Sequence, residues 1–230
     1  MNEPNSTQIR NIVLLSHTGA GKTMLAESML NAAGVSTRMG SVEDGTTVSD
    51  YEPEESKRGS SIQLSVLRCP WKSNQFNLLD TPGYADFRGE VISGVRVADS
   101  ALIVVSAPSS VEVGTQQMWK IADQNDLPKI VYVSKMDREN ADFQKVVDDL
   151  TERFGRQCVP LTIPIGSEDN FSGVIDLLDS KAQIPDGLES SVESFRELLT
   201  EAIAEADDDL ATKYLEGDTL TDAELKKGLK

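Results

Sequence analysis

The chain has 230 residues, 26% of them charged and 39% hydrophobic, with a formal net charge of −16 at pH 7. That length suits one large domain, or one domain with an appendage, and leaves ample material for a core. No run of eighteen apolar residues occurs, which excludes a membrane-spanning helix, and Met1-Asn2-Glu3-Pro4-Asn5 lacks the basic and apolar regions of a secretory signal. Cys69 and Cys158 lie far apart with no metal-type spacing, so free thiols and a reducing, cytoplasmic location are expected. The acidity is uneven. Residues 1–160 hold 16 basic and 21 acidic side chains, a net of −5, whereas residues 161–230 hold 6 and 17, a net of −11. A domain boundary is therefore expected near Pro160, with a core over 1–160 and a second part over 161–230 that does not bind nucleic acid.

In chain order, Ile9 to Leu15 reads as a buried strand. The loop Ser16-His17-Thr18-Gly19-Ala20-Gly21-Lys22-Thr23 follows, and 24–33 reads as a helix with Leu25, Met29 and Leu30 on one face. Residues 35–60, rich in Gly, Ser, Thr and Glu, are expected to form a long mobile loop. Strands are predicted at 62–68 and 75–79, the second ending at Asp80-Thr81-Pro82-Gly83. A helical pattern over 87–97 precedes the continuous apolar strand 100–106, and another over 112–125 precedes a strand at 129–133. Ser134-Lys135-Met136-Asp137 closes that strand, and a helix is expected over 140–154. Beyond 160, a strand pair near 159–165 and 173–178 leads into a helix over 191–206. A short helix over 221–229 opens on a Thr221/Glu224 capping box. The alternation implies an α/β fold with a mostly parallel central sheet and helices on both faces.

Each of three loops follows a predicted strand and carries the chemistry of a guanine-nucleotide switch. In the first, Gly19 and Gly21 let backbone N–H groups close around phosphate oxygens. Lys22 brings positive charge to the β- and γ-phosphates, Thr23 offers a hydroxyl to Mg²⁺, and the helix N-terminus favours the anion. In the second, Asp80 suits Mg²⁺, directly or through water, and Gly83 offers an N–H to the γ-phosphate. The other reading of this stretch is a Thr-Pro-Gly turn capped by aspartate. In the third, the Asp137 carboxylate matches the N1–H and N2–H₂ edge of guanine, a donor pair that adenine lacks. The Lys135 stem covers a face of the base. Ser134 stands where guanine sites carry Asn or Thr, and its shorter arm is expected to tether the loop less well.

These motifs resemble those of the GTPase domain of bacterial elongation factor G-like proteins. The resemblance extends through Arg10-Asn11-Ile12, Asp50-Tyr51, Glu54-Glu55 and Arg58-Gly59-Ser60-Ser61-Ile62, then Asp80 to Phe87 and Ser134 to Arg138. Past the third motif, Pro164-Ile165-Gly166, Phe171 to Leu177, Ala204 to Leu210 and Tyr214-Leu215-Glu216-Gly217 are similar to that family's insertion. The resemblance implies a P-loop GTPase fold with an acidic α+β insertion subdomain, GTP/GDP and Mg²⁺ as ligands, and the ribosome as partner. It also implies that a ribosomal stalk protein meets the insertion; the acidic surface alone reads first as a solvated helical face and only second as a docking surface. On this reading Ser16 to Thr23, Asp80 to Tyr84 and Ser134 to Asp137 bind nucleotide. Thr23, Ser61 and Asp80 hold the metal, and Lys22, Gly83 and Tyr84 take part in hydrolysis. The 35–60 loop becomes a switch, ordered by γ-phosphate and Mg²⁺ and loose otherwise.

The chain departs from the family at informative positions. Ser16 replaces a Gly, Gly19 an acidic residue, Ser61 a threonine, and Tyr84 the histidine implied to orient the attacking water. A phenol stays neutral near pH 7 and makes single hydrogen bonds, so slow hydrolysis is expected, with a switch of little turnover as the alternative. His17, the sole histidine, is expected to pack beside the loop, Trp119 to be core and Trp71 surface. No Ser-Ala element follows the insertion, which suggests part of a longer factor with weakened nucleotide affinity. A P-loop ATPase or kinase is the third reading, to be separated by competition of ATP with GTP.

Overall fold

The computed structural model describes residues 4–229 and divides the chain into two compact units, one ending at Lys135 and one beginning at Met136. In the first unit, β1 (Ile9–Ser16), β2 (Ser65–Trp71), β3 (Asn74–Asp80), β4 (Ser100–Ser106) and β5 (Lys129–Ser134) form one sheet in the order β2-β3-β1-β4-β5. Only the β2–β3 pair is antiparallel. β2 is an edge strand, which is why Pro70 is tolerated opposite Gln75.

Strand alternation assigns the two faces. Leu14, Leu67, Cys69 and Leu78 point to one face and pack with Ala26 and Leu30 of α1 (Lys22–Ala32). Val13 points to the other, against α3 (Arg88–Val95): a Cβ on Gly94 would lie 3.3 Å from Val13 Cγ2. α4 (Val113–Asp123) packs on β1 and β4 and buries Trp119, whereas Trp71 at the end of β2 is exposed. Parallel pairing stacks the carboxyl ends of the strands along one edge, since Leu14 faces Asp80, Ser16 faces Val104 and Ser106 faces Ser134. The loops that follow β1, β3 and β5 thereby start at the edge where open α/β sheets hold their ligands.

The 35–60 stretch is not loop throughout. It contains α2 (Pro53–Arg58), with Pro at the first turn and a Glu52/Glu55 capping box.

The second unit is α+β. α5 (Phe143–Phe154) starts at Asp142, whose carboxylate accepts Lys145 N–H at 3.0 Å. β6 (Thr162–Ile165) and β7 (Gly173–Asp176) pair antiparallel. The helices α6 (Glu189–Ala204), α7 (Asp208–Leu215) and α8 (Asp222–Gly228) follow. Ile163, Ile175, Leu177, Val192, Leu199, Ile203, Leu210 and Leu220 form its core. The composition change near residue 160 falls inside this unit. Among the described residues no helix is long and apolar enough to cross a membrane.

Candidate functional site

β1 ends at Ser16, and the chain turns through residues 17–21 into α1. Gly21 is the helix N-cap at φ 100° and ψ 25°, and Gly19 has φ 75°; both lie in the left-handed region that side chains with a Cβ avoid. This bend lets α1 start at Lys22 with its N-terminal N–H groups facing the loop, the geometry of an anion cradle. Lys22 is 6% exposed and donates to Ser16 Oγ at 2.8 Å. Burial lowers its pKa, and the Asp80 and Asp50 charges oppose that shift.

The second loop leaves β3 beside the first. Thr81 Oγ1 donates to Leu14 O at 2.6 Å and fastens this loop to β1. Asp80, 1% exposed, accepts Thr23 Oγ1 at 2.9 Å through Oδ2, while its buried Oδ1 has no hydrogen-bond partner. Burial pushes its pKa up to about 6, against the Lys22 charge and the nearby Thr23 and Ser49 hydroxyls; the Ser49 hydroxyl does not complete a hydrogen bond to Oδ1. Ser61 Oγ lies 3.3 Å from Thr23 Oγ1.

Two hydroxyls and a carboxylate oxygen that lacks a donor form an all-oxygen set suited to a small hard cation. Among the described residues no three His, Cys, Asp or Glu side chains converge on a metal-binding position. A cation here therefore has to complete its shell with water and phosphate oxygens, as Mg²⁺ does. Gly83 approaches the first loop closely, since a Cβ on it would lie 2.8 Å from Thr18 Cα and 2.9 Å from Lys22 Nζ.

The third loop is tied to the first. Ser134 Oγ donates to Ala20 O at 2.7 Å, so this short side chain does reach the phosphate loop. Lys135, at φ 58°, donates from Nζ to Gly19 O at 2.7 Å. Met136 is buried. Asp137 belongs to the second unit, with its side chain 66% exposed and Oδ2 3.7 Å from Arg138 Nε.

Of the residues singled out from sequence, the structure therefore brings together Ser16, Thr18 to Thr23, Ser61, Asp80 to Gly83, Ser134 and Lys135. His17 pairs with Glu112 at 3.5 Å beside the loop, and Tyr84 is 42% exposed at the start of a short 3-10 turn, 85–87. Sequence reading gave no role to Glu27, Asp50 and Glu55, all buried in this unit. Burial raises the Asp50 pKa, which the Ser61 hydroxyl counters. A charged residue inside the buried stripe of α1 was the available signal for Glu27.

A glycine-bent phosphate cradle, its buried lysine and a Thr–Asp pair at the carboxyl edge of a mostly parallel sheet define a P-loop domain of the GTPase type. The elongation factor Tu GTP-binding domain family model matches residues 7–222. The chain belongs to that family. It is similar to Elongation factor G 2 of Syntrophus aciditrophicus (strain SB), with 37% identity over 97% of this chain and 35% of that protein. A crystal structure of a protein from Thermus thermophilus matches with TM-score 0.90 and 35% identity, over 97% of this chain and 35% of that one. The chain thus spans about a third of the length of both.

Proposed function

We propose that this chain is the nucleotide-handling domain of an elongation factor G-like translation factor, binding GTP and hydrolysing it to GDP and phosphate with Mg²⁺. The observation that carries the reading is the meeting of Lys22, Thr23 and Asp80 from two loops 57 residues apart, leaving one buried carboxylate oxygen for a cation. In this proposal residues 16–23 cradle the phosphates, with Lys22 on the β- and γ-phosphates. Thr23, Ser61 and Asp80 hold Mg²⁺, whose charge offsets that of the phosphate oxygens. Gly83 presents its N–H to the γ-phosphate, Lys135 covers the base, and Asp137 reads guanine. The partner is the ribosome, reached through the whole factor in translocation or recycling, with a stalk protein at the acidic second unit. The setting is the cytoplasm, and no direct nucleic-acid contact is assigned to this part of the chain.

Calorimetry with GDP and Mg²⁺, with ADP as comparator, tests the reading. The expected result is binding of GDP but not ADP, with that preference abolished by Asp137→Ala; no heat at millimolar GDP would overturn it. A second reading, a nucleotide-sensing switch with little turnover, is favoured by Tyr84. Release of phosphate from GTP with and without ribosomes separates the two.

A further inference from the structure

Two buried carboxylates outside the phosphate loops organise the segment that carries Ser61. Glu27, fully buried, lies one helical turn beyond Thr23 on the same face of α1. Its Oε2 accepts Gly40 N–H at 3.0 Å and its Oε1 accepts Val48 N–H at 2.5 Å, so one side chain grips both arms of the 40–48 excursion. The approach is tight: a Cβ on Gly40 would lie 2.8 Å from Glu27 Oε2 and 2.5 Å from Thr46 O. Glu55, 1% exposed, takes the other end. Its Oε1 accepts Ile62 N–H at 2.8 Å and Gln63 N–H at 3.0 Å, the two amides directly after Ser61. Its Oε2 caps α2 through Glu52 N–H at 3.3 Å.

A carboxylate withdrawn from water needs donors, and charge-assisted bonds to backbone N–H groups are among the stronger ones available. We propose that Glu27 and Glu55 are positioning residues that hold segment 40–63 against α1 and so set the Ser61 hydroxyl beside Thr23. The inference rests on the nucleotide-binding reading above, and adds that the Ser61 arm of the cation site is held by the chain's own carboxylates. Neither glutamate touches nucleotide or metal in this scheme; each acts through the backbone it grips. Loss of either grip loosens the segment and weakens the benefit that Mg²⁺ brings to nucleotide binding. The phosphate cradle itself is left intact.

The test uses the full chain with E27Q, E55Q and G40A. Trypsin reads the segment at three exposed sites, Arg38, Lys57 and Arg58. Titrations with a fluorescent, non-hydrolysable GTP analogue, which carries the γ-phosphate, in Mg²⁺ and in EDTA read the site. Cleavage after Arg38 is expected to quicken about tenfold or more in E27Q. The gain in affinity from Mg²⁺ is expected to fall about threefold or more, with affinity in EDTA unchanged within about twofold. E55Q is expected to do the same at Lys57 and Arg58. G40A breaks the Glu27 grip from the loop side, leaves α1 untouched, and is expected to match E27Q. Wild-type cleavage and wild-type Mg²⁺ gain in E27Q and G40A would overturn the proposal, as would an equal loss of affinity in EDTA. Should the wild-type chain bind no GTP analogue at all, the nucleotide reading fails, and the digestion alone decides whether the carboxylates hold the segment.

Discussion

The Thr23 hydroxyl donates to Asp80 Oδ2 at 2.9 Å, joining the first residues of α1 to the last residue of β3 across 57 positions of sequence. The bond selects which carboxylate oxygen stays open, since Oδ2 is occupied and the buried Oδ1 is not. A buried, unpartnered carboxylate oxygen is unfavourable unless a cation or donor reaches it. The pair therefore ties local geometry to the ligand the site is suited to.

Thr23→Ala and Asp80→Asn are each expected to reduce the Mg²⁺-dependent part of GDP affinity by about tenfold or more, about 1.4 kcal/mol. Affinity measured in EDTA is expected to change much less, because the cradle of backbone N–H groups survives both substitutions. Paired Mg²⁺ and EDTA titrations check this. Equal losses in the two conditions would show that the residues support the loop rather than the cation.

Gly114 sits at the start of α4 directly beneath His17. A Cβ there would lie 2.3 Å from His17 Nδ1 and 3.0 Å from His17 Cα. Helix propensity favours Ala over Gly by about 0.8–1 kcal/mol, while overpacking costs about 1–3 kcal/mol. The clash should win, because a backbone atom of the phosphate loop is among those displaced. Gly114→Ala is expected to destabilise the chain and weaken GDP binding together. Gly89→Ala, near the start of α3 with nothing within 4 Å of the added Cβ, is expected to be neutral or stabilising. Urea denaturation of both variants decides the sign.

Much of this architecture was legible because hydrophobic runs and loop chemistry coincide. Ile9–Ser16 and Lys129–Ser134 are strands where apolar runs lead into a motif, and Ser100–Ser106 is a strand on its continuous apolar run alone. β2 was harder, and runs 65–71 rather than 62–68. The N–H groups of Ile62 and Gln63 are taken by Glu55 and that of Leu64 by Glu90, so pairing with β3 begins only at Ser65. α2 lacks apolar periodicity and is set by caps, with Glu52 before it and Gly59 in the left-handed region after it. α7 was hidden in an acidic run, though Asp207 caps its first turn by accepting Asp209 and Leu210 N–H. The motif residues of the site were readable because phosphate chemistry restricts them. Glu55 was not, because its partners are backbone amides, which leave no trace in side-chain identity; Glu27 left only a charge inside the buried stripe of α1, with nothing to name its amide partners.

Glu224 on α8 joins three tasks. It accepts Lys213 Nζ at 2.8 Å, Thr221 N–H at 2.8 Å, and the Thr221 hydroxyl at 2.8 Å. The Lys213 hydrogen bond, then those from Thr221, hold its pKa down at about 2. A carboxylate depressed in the folded chain stabilises it above the unfolded pKa of 4.5, and that contribution is lost as pH falls from there toward 2. Acid is therefore expected to loosen α8 before the first unit. Glu224→Gln is expected to remove this step, and salt to shrink it, because the pair is partly solvated. Amide hydrogen exchange at residues 222–228, followed from about pH 5 down to about pH 2 so that it spans the titration, checks the sign; protection that rises on acidification would contradict it.

Tyr84 is the site residue whose chemistry differs most from what the family resemblance implies. It stands 42% exposed, directly after Gly83, where its ring can reach solvent without disturbing the loop below. An imidazole at this place can accept a proton or carry charge near neutral pH, whereas a phenol offers only a single hydrogen bond. Positioned acid–base groups contribute about 10²–10⁴-fold to rate. Tyr84→His is thus expected to raise single-turnover phosphate release from GTP by about tenfold or more, with GDP affinity unchanged because the cradle residues are untouched. Rates are to be compared with and without ribosomes at matched Mg²⁺. Equal rates for Tyr84 and Tyr84→His in both conditions would show that this position does not limit hydrolysis.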